Sequence, residues 1–174
     1  ETLLGIERFL GAGVIPGIGP ALAKRIVARF GMATLRTIED DPNKLTQVEG
    51  IGAGRAKRIA GAWADLLTEM GKAATMAEAA GVTLGIEPEL ANVVNSAQVA
   101  RRLIDTLQSP ALAVVLDPAN LFEVAPDHDR IIAGAVDLLA DRIVMAHAKD
   151  RNAGGGFVAA GQGVVDFPAF VTRL

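Results

Sequence analysis

The sequence predicts a fold of the α plus α/β kind, in which an all-α unit and a parallel β/α unit of about three strands share one helix. Three observations predict it. A ten-residue pattern in the first third of the chain recurs at an offset of 33 residues. Strand-like and helix-like segments alternate through the remainder. Between the two, apolar positions keep helical phase without a break, so no linker separates the parts.

The repeat reads Gly17-Ile18-Gly19, three residues, then Ala23-Lys24-Arg25-Ile26; its copy reads Gly50-Ile51-Gly52, three residues, then Ala56-Lys57-Arg58-Ile59. A repeat of this length predicts a supersecondary unit copied in tandem. In each copy an amphipathic stretch, Gly5–Leu10 or Leu45–Val48, leads into a tight Gly-x-Gly turn and a second helix. The glycines permit a sharp turn and close backbone approach from outside, and the isoleucine between them anchors the hairpin to the core. The following helix directs its free N–H groups and positive dipole end at the turn, which suits a phosphate. Lys24, Arg25, Arg29, Lys57 and Arg58 add positive charge, and Arg55 lies in the first turn of the second helix. Donors of this kind read backbone phosphates, not bases, so the expected contact with DNA is independent of sequence. The expected contacting set is Gly17, Ile18, Gly19, Lys24, Arg25, Gly50, Ile51, Gly52, Arg55, Lys57 and Arg58. As a plain packing unit, the same turns would serve only to stabilise a pair of helices.

Charge follows the same division. Residues 1–64 carry nine Lys/Arg against six Asp/Glu, and residues 65–174 eight against fourteen, although the whole chain sums to only −3. The absence of cysteine excludes a disulfide framework and any thiolate metal site. With 51% apolar residues but 4% aromatics, the core must be aliphatic and alanine-rich. No apolar run nears the roughly 18 residues of a membrane span, and no signal segment opens the chain, so a soluble, cytoplasmic protein without membrane contact is expected.

The first part resembles the helix-hairpin-helix family, and most closely the N-terminal tandem module of RecD-type DNA helicases, over about residues 4–63. The residues that carry the likeness are Gly5 to Gly11, Gly17 to Pro20, Ala23 to Ile26, Phe30-Gly31 and Glu49 to Gly52. The resemblance implies an all-α tandem helix-hairpin-helix module over residues 1–64. One departure is Ala53-Gly54, where such hairpins often place lysine.

The second part, residues 65–174, opens with helical spacing at Leu66, Leu67, Met70, Ala73, Ala74 and Ala77. Strands are expected at Val82–Glu87, Leu112–Asp117 and Ile143–His147, with helices near Ser96–Leu107 and Asp127–Leu139. Alternation of this kind implies right-handed parallel crossovers. Each strand ends on a residue that binds metals: Glu87, Asp117 and His147, 30 residues apart each time. In a parallel barrel these positions gather at one rim, and a Glu/Asp/His set suits a divalent ion such as Mn²⁺, Mg²⁺ or Zn²⁺. A strand-end acid taken alone is more simply a cap for the next helix, but three in phase are not.

This part is similar to the xylose-isomerase-like barrels, the superfamily of sugar isomerases, epimerases and apurinic endonucleases, over about residues 66–174. The matching segments are Leu84 to Pro88, Leu116 to Asn120, His147 to Asp150 and Gly161 to Phe167. The resemblance implies that Glu87, Asp117 and His147 are metal ligands, and it places Asn120 where a substrate-contacting histidine often stands. It corresponds to the fifth to seventh strands of an eight-strand barrel, hence a partial (β/α) barrel lacking the eighth-strand Glu that serves the family as last ligand and base. Catalysis by a single chain is therefore not expected.

Apolar positions 56, 59, 60, 63, 66, 67, 70, 73, 74 and 77 predict one continuous helix across the join, about 26 residues or roughly 39 Å long. Two unrelated family likenesses spliced through a shared helix suggest a recombined or artificial chimera. Such a protein would lack evolved catalysis and keep weak sequence-independent DNA binding. The alternative is a divalent-metal-dependent sugar isomerase/epimerase or endonuclease, active once oligomerisation completes the barrel. A three-strand parallel sheet also leaves edges and a face open, which the hairpin module or a homodimer would cover.

Overall fold

The structure, a computed structural model, describes residues 3–11, 18–90 and 92–174. Gly17 of the expected contact set, and the side chain of Trp63, lie outside the described residues. Two compact units are formed, one by residues 1–72 with 91–93 and the other by residues 73–90 with 94–174.

In the first unit, α1 (Leu3–Gly11) packs with α2 (Pro20–Phe30), followed by α3 (Thr34–Asp40), a 3-10 turn at Pro42–Gln47 and the start of α4 (Ala53–Ala80), whose residues from Ala73 belong to the second unit. Gly19, extended at φ −98°, caps α2, and Pro20 begins it where a missing N–H costs nothing. Pro42 biases Asp41 away from helical ψ and stops α3, so Leu45 reaches the core from a 3-10 turn. The repeat is legible in the packing. Ile18 and Ile51, Ala23 and Ala56, and Ile26 and Ile59 are all buried in one core with Ile6, Leu10 and Leu45. The two turns share their backbone pairing: Leu22 and Ala23 N–H donate to Gly19 O, as Arg55 and Ala56 N–H donate to Gly52 O, each at 3.0 Å.

The uninterrupted helical phase is realised as α4, 28 residues long. Among its apolar positions, Ala56, Ile59, Ala74 and Ala77 are buried, while Leu66, Leu67 and Met70 are partly covered. Gly81, at φ +65°, ends it: Val82 N–H reaches back to Ala77 O and Gly81 N–H to Glu78 O, satisfying carbonyls that a helix end leaves free.

The second unit holds a parallel sheet in the order β1 (Leu84–Ile86), β2 (Leu112–Leu116), β3 (Ile143–Ala146). Gly85 pairs with Ala113, and Val115 with Met145. The connections are α5 (Ala97–Leu107) and α6 (His128–Leu139), close to where the periodicity puts them. Ser96 caps α5 by accepting from Val99 N–H at 3.3 Å. Leu112, Val114 and Leu116, alternate residues of β2, share one face and are completely covered, as are Leu103 of α5 and Leu139 of α6. The described sheet ends at β3, whose Val144 and Met145 are 61% and 55% exposed. An antiparallel pair, β4 (Lys149–Arg151) with β5 (Phe157–Ala159), and α7 (Phe167–Arg173) complete the unit.

On the face opposite Leu112 and Val114, a Cβ at Gly85 would stand 2.6 Å from Val115 Cγ2. Valine has little χ1 freedom to retreat. Gly85→Ala is therefore expected to lower unfolding stability by about 1–3 kcal/mol, read as a drop in the urea midpoint at unchanged slope.

Candidate metal centre

The three parallel strands end one residue before Glu87, Asp117 and His147, and the barrel-like register brings those side chains together. Each offers one ligand atom, and the three atoms lie within 4.8 Å of one another. His147 is placed by its own backbone, whose N–H donates to Leu116 O at 3.0 Å and extends the β2–β3 pairing to the residue beside Asp117.

Asp117 is 1% exposed, and its two oxygens do different work. Oδ1 accepts the Ala119 N–H at 2.9 Å and caps the short 3-10 turn Pro118–Asn120. This is the ordinary structural role of a strand-end aspartate. Oδ2 accepts no hydrogen bond. Lys149 Nζ lies 3.1 Å from it as an ion pair, outside hydrogen-bonding angles, and His147 Nδ1 is at 4.0 Å. A buried, charged oxygen left without a hydrogen bond is costly unless something cationic occupies its free side.

Glu87, half-buried, is held from two directions. Asn120 Nδ2 donates to Glu87 Oε1 at 2.8 Å, and His147 Nδ1 is 3.3 Å from the same oxygen. Asn120 is 2% exposed, and its Oδ1 has no hydrogen-bond partner. An amide can orient a carboxylate through its N–H but cannot exchange a proton with it. Asn120 therefore positions Glu87 and is no acid or base.

Behind the rim, Asp150 is wholly buried and gathers the loop that follows β5. Its Oδ1 accepts N–H groups from Arg151 at 2.8 Å and Val165 at 3.0 Å; its Oδ2 accepts from Gly161 at 3.1 Å and Gly163 at 2.9 Å. Burial pushes this carboxyl up, but the four backbone donors together outweigh burial and hold it below the usual range. At Gly163 a Cβ would collide with the Arg151 carbonyl and Asp150 Oδ1, so the glycine there serves close backbone approach, whereas Gly161 serves its positive φ of +76°. Arg151 Nε donates to Ala119 O at 2.6 Å, Nη1 donates to Gly155 O, and the guanidinium lies 3.9 Å over the Phe157 ring.

Residues 24–174 match the model of the xylose isomerase-like TIM barrel family. The chain belongs to that family. No curated protein matches the chain. The match to this xylose isomerase-like barrel begins at Lys24 in α2, so it takes in α4 and crosses the join expected near residues 64 and 65.

The residues of this barrel-family chain fit a divalent cation. One buried carboxylate oxygen without a hydrogen bond, one oriented Glu and one His make an N/O donor set of the hard to borderline kind such ions take. In the sequence, Lys149 and Asp150 are only letters of the His147-to-Asp150 motif. Nothing in a linear spacing shows that one faces Asp117 while the other binds its own loop.

The expected DNA-contacting residues divide by burial. The Ile18 and Ile51 side chains are core anchors, whereas Lys24, Arg25, Lys57 and Arg58 are exposed. Arg55 Nη1 donates to Gly50 O at 2.7 Å, so it serves its own turn. The Arg25 guanidinium lies beside Gly50, its Nη1 3.5 Å from where a Cβ would stand, an ordinary van der Waals distance. The structure thus brings an arginine of the first repeat onto the turn of the second, where Gly50 has φ +87°.

Proposed function

We propose that Glu87, Asp117 and His147 hold one divalent cation, Mn²⁺, Mg²⁺ or Zn²⁺. On this reading the chain serves a metal-dependent reaction of the sugar isomerase/epimerase or endonuclease kind. The observation that carries it is the convergence of three ligand atoms within 4.8 Å at the ends of three consecutive parallel strands. A divalent ion bound there supplies Lewis-acid polarisation of a substrate oxygen. The chain's own residues do the rest: Asn120 fixes Glu87, the Pro118–Asn120 turn fixes Asp117, and the Asp150-bound loop stiffens the wall beside them. The described sheet has three strands where a closed barrel of this fold has eight, so the reading includes completion of the ring by oligomerisation before turnover. Calorimetric titration with Mn²⁺, Mg²⁺ and Zn²⁺ tests it. One equivalent bound per chain is the expected result; no heat with any of the three ions removes the reading.

A second reading concerns the first unit, as a helix-hairpin-helix module that touches DNA phosphates without regard to sequence. The matched Gly19 and Gly52 turns, flanked by exposed Lys24, Arg25, Lys57 and Arg58, support it. Together with the shared helix α4, they are also what supports an origin by recombination of two parts. Duplex binding should be measurable at about 20 mM salt and fall steeply as salt rises. Charge reversal at those four positions should abolish it. Binding that ignores both salt and charge reversal would refute the module's role.

A further inference from the structure

Resting on the cation reading above, we infer that Lys149 is the site's own counter-ion: its ammonium neutralises Asp117 Oδ2 until a metal arrives, competes with that metal for the same oxygen, and so sets the affinity. The geometry leaves one oxygen to contest. Asp117 Oδ1 is committed to the Ala119 N–H, and among the described residues Oδ2 has Lys149 Nζ at 3.1 Å and His147 Nδ1 at 4.0 Å within ion-pair distance, with the Arg151 guanidinium acting on Asp117 from further off. The neighbouring acid, Asp150, cannot draw the lysine away, because four backbone N–H groups fill its two oxygens.

Lys149 has somewhere to go. Its side chain is 40% exposed, and Nζ already lies 4.6 Å from the centre of the Phe157 ring, on β5 opposite β4. A cation gains from an aromatic face as well as from solvent. Displacement from Oδ2 therefore leaves the ammonium against solvent and the ring it already touches, which it shares with the Arg151 guanidinium, while the incoming ion takes the oxygen. A lysine held by a hydrogen bond in good geometry would resist this; the contact here is an ion pair without one. The device keeps a buried carboxylate tolerable in the metal-free protein and makes loading selective for ions charged strongly enough to displace an ammonium.

The experiment is Mn²⁺ titration of the intact chain by calorimetry at low ionic strength, with Lys149→Met, Lys149→Gln and Lys149→Arg beside the unsubstituted protein. Removing the competing charge should tighten Mn²⁺ binding about tenfold in both neutral variants, whereas arginine, which keeps the charge, should stay near the starting affinity. Thermal melts give a second readout: Mn²⁺ should raise the Tm of Lys149→Met by more than it raises that of the unsubstituted chain. Equal or weaker binding by the neutral variants would overturn the inference while leaving the cation site standing. No binding by any of the proteins would remove the site itself.

Discussion

Asp117→Asn is expected to abolish divalent-cation binding while leaving the fold intact. Asparagine keeps the carbonyl that caps Ala119 N–H, so the Pro118–Asn120 turn survives. What it loses is the negative Oδ2, replaced by an amide N–H that faces the cation position and Lys149. Affinity for Mn²⁺ should fall at least about 100-fold, beyond the roughly 10–100-fold typical of outer partners of a metal site. Glu87→Gln should cost less, since Glu87 is half-exposed and Asn120 still orients the residue. Calorimetry reads the affinities, and far-ultraviolet circular dichroism checks the fold. Undiminished binding by a folded Asp117→Asn protein would sink the assignment.

The largest stability effect is expected at Asp150. Replacing it by alanine strands four backbone N–H groups in and beside the loop at once. An unsatisfied buried donor costs about 1–3 kcal/mol, and part of the loop can relax toward water, so a total loss of about 3–5 kcal/mol is expected. Asparagine should rescue little, because its NH₂ would point donors at donors. The same group gives a pH dependence. Its folded value is held below the unfolded one of about 3.9, so its stabilising contribution is fully present above about pH 4. The contribution is lost as pH falls through the lower folded value. Urea midpoints between about pH 6 and pH 2 should therefore fall more steeply for the unsubstituted protein than for Asp150→Ala. Parallel curves for the two would show that Asp150 carries no such linkage.

Much of the architecture is legible in the residues because it is local. The short apolar run after Gly81, the run from Leu112 and the helix expected near Ser96–Leu107 mark β1, β2 and α5 within a residue or two, and apolar phase through Ala56, Ile59, Ala74 and Ala77 marks α4. The 33-residue repeat foretells which residues are equivalent in the core, Ile26 with Ile59 and Ala23 with Ala56. Locality also explains the shortfall. The Leu45–Val48 stretch has amphipathic spacing, yet Pro42 leaves it a 3-10 turn. The antiparallel pair β4–β5 leaves no pattern in the sequence, since Lys149–Arg151 and Phe157–Ala159 are too short to show a period.

At the site, linear spacing is enough to say which residues can meet. The 30-residue phase of Glu87, Asp117 and His147 places them at equivalent strand ends, and parallel pairing brings equivalent strand ends together. What each oxygen does is set by packing in the folded chain. That Oδ1 of Asp117 caps a turn while Oδ2 faces Lys149, and that Asp150 turns away to collect the loop around Gly163, depends on side-chain direction and on contacts as far as 32 residues apart in the chain. Spacing encodes which face a residue is on; the cost of burying a charge without partners fixes how it is turned.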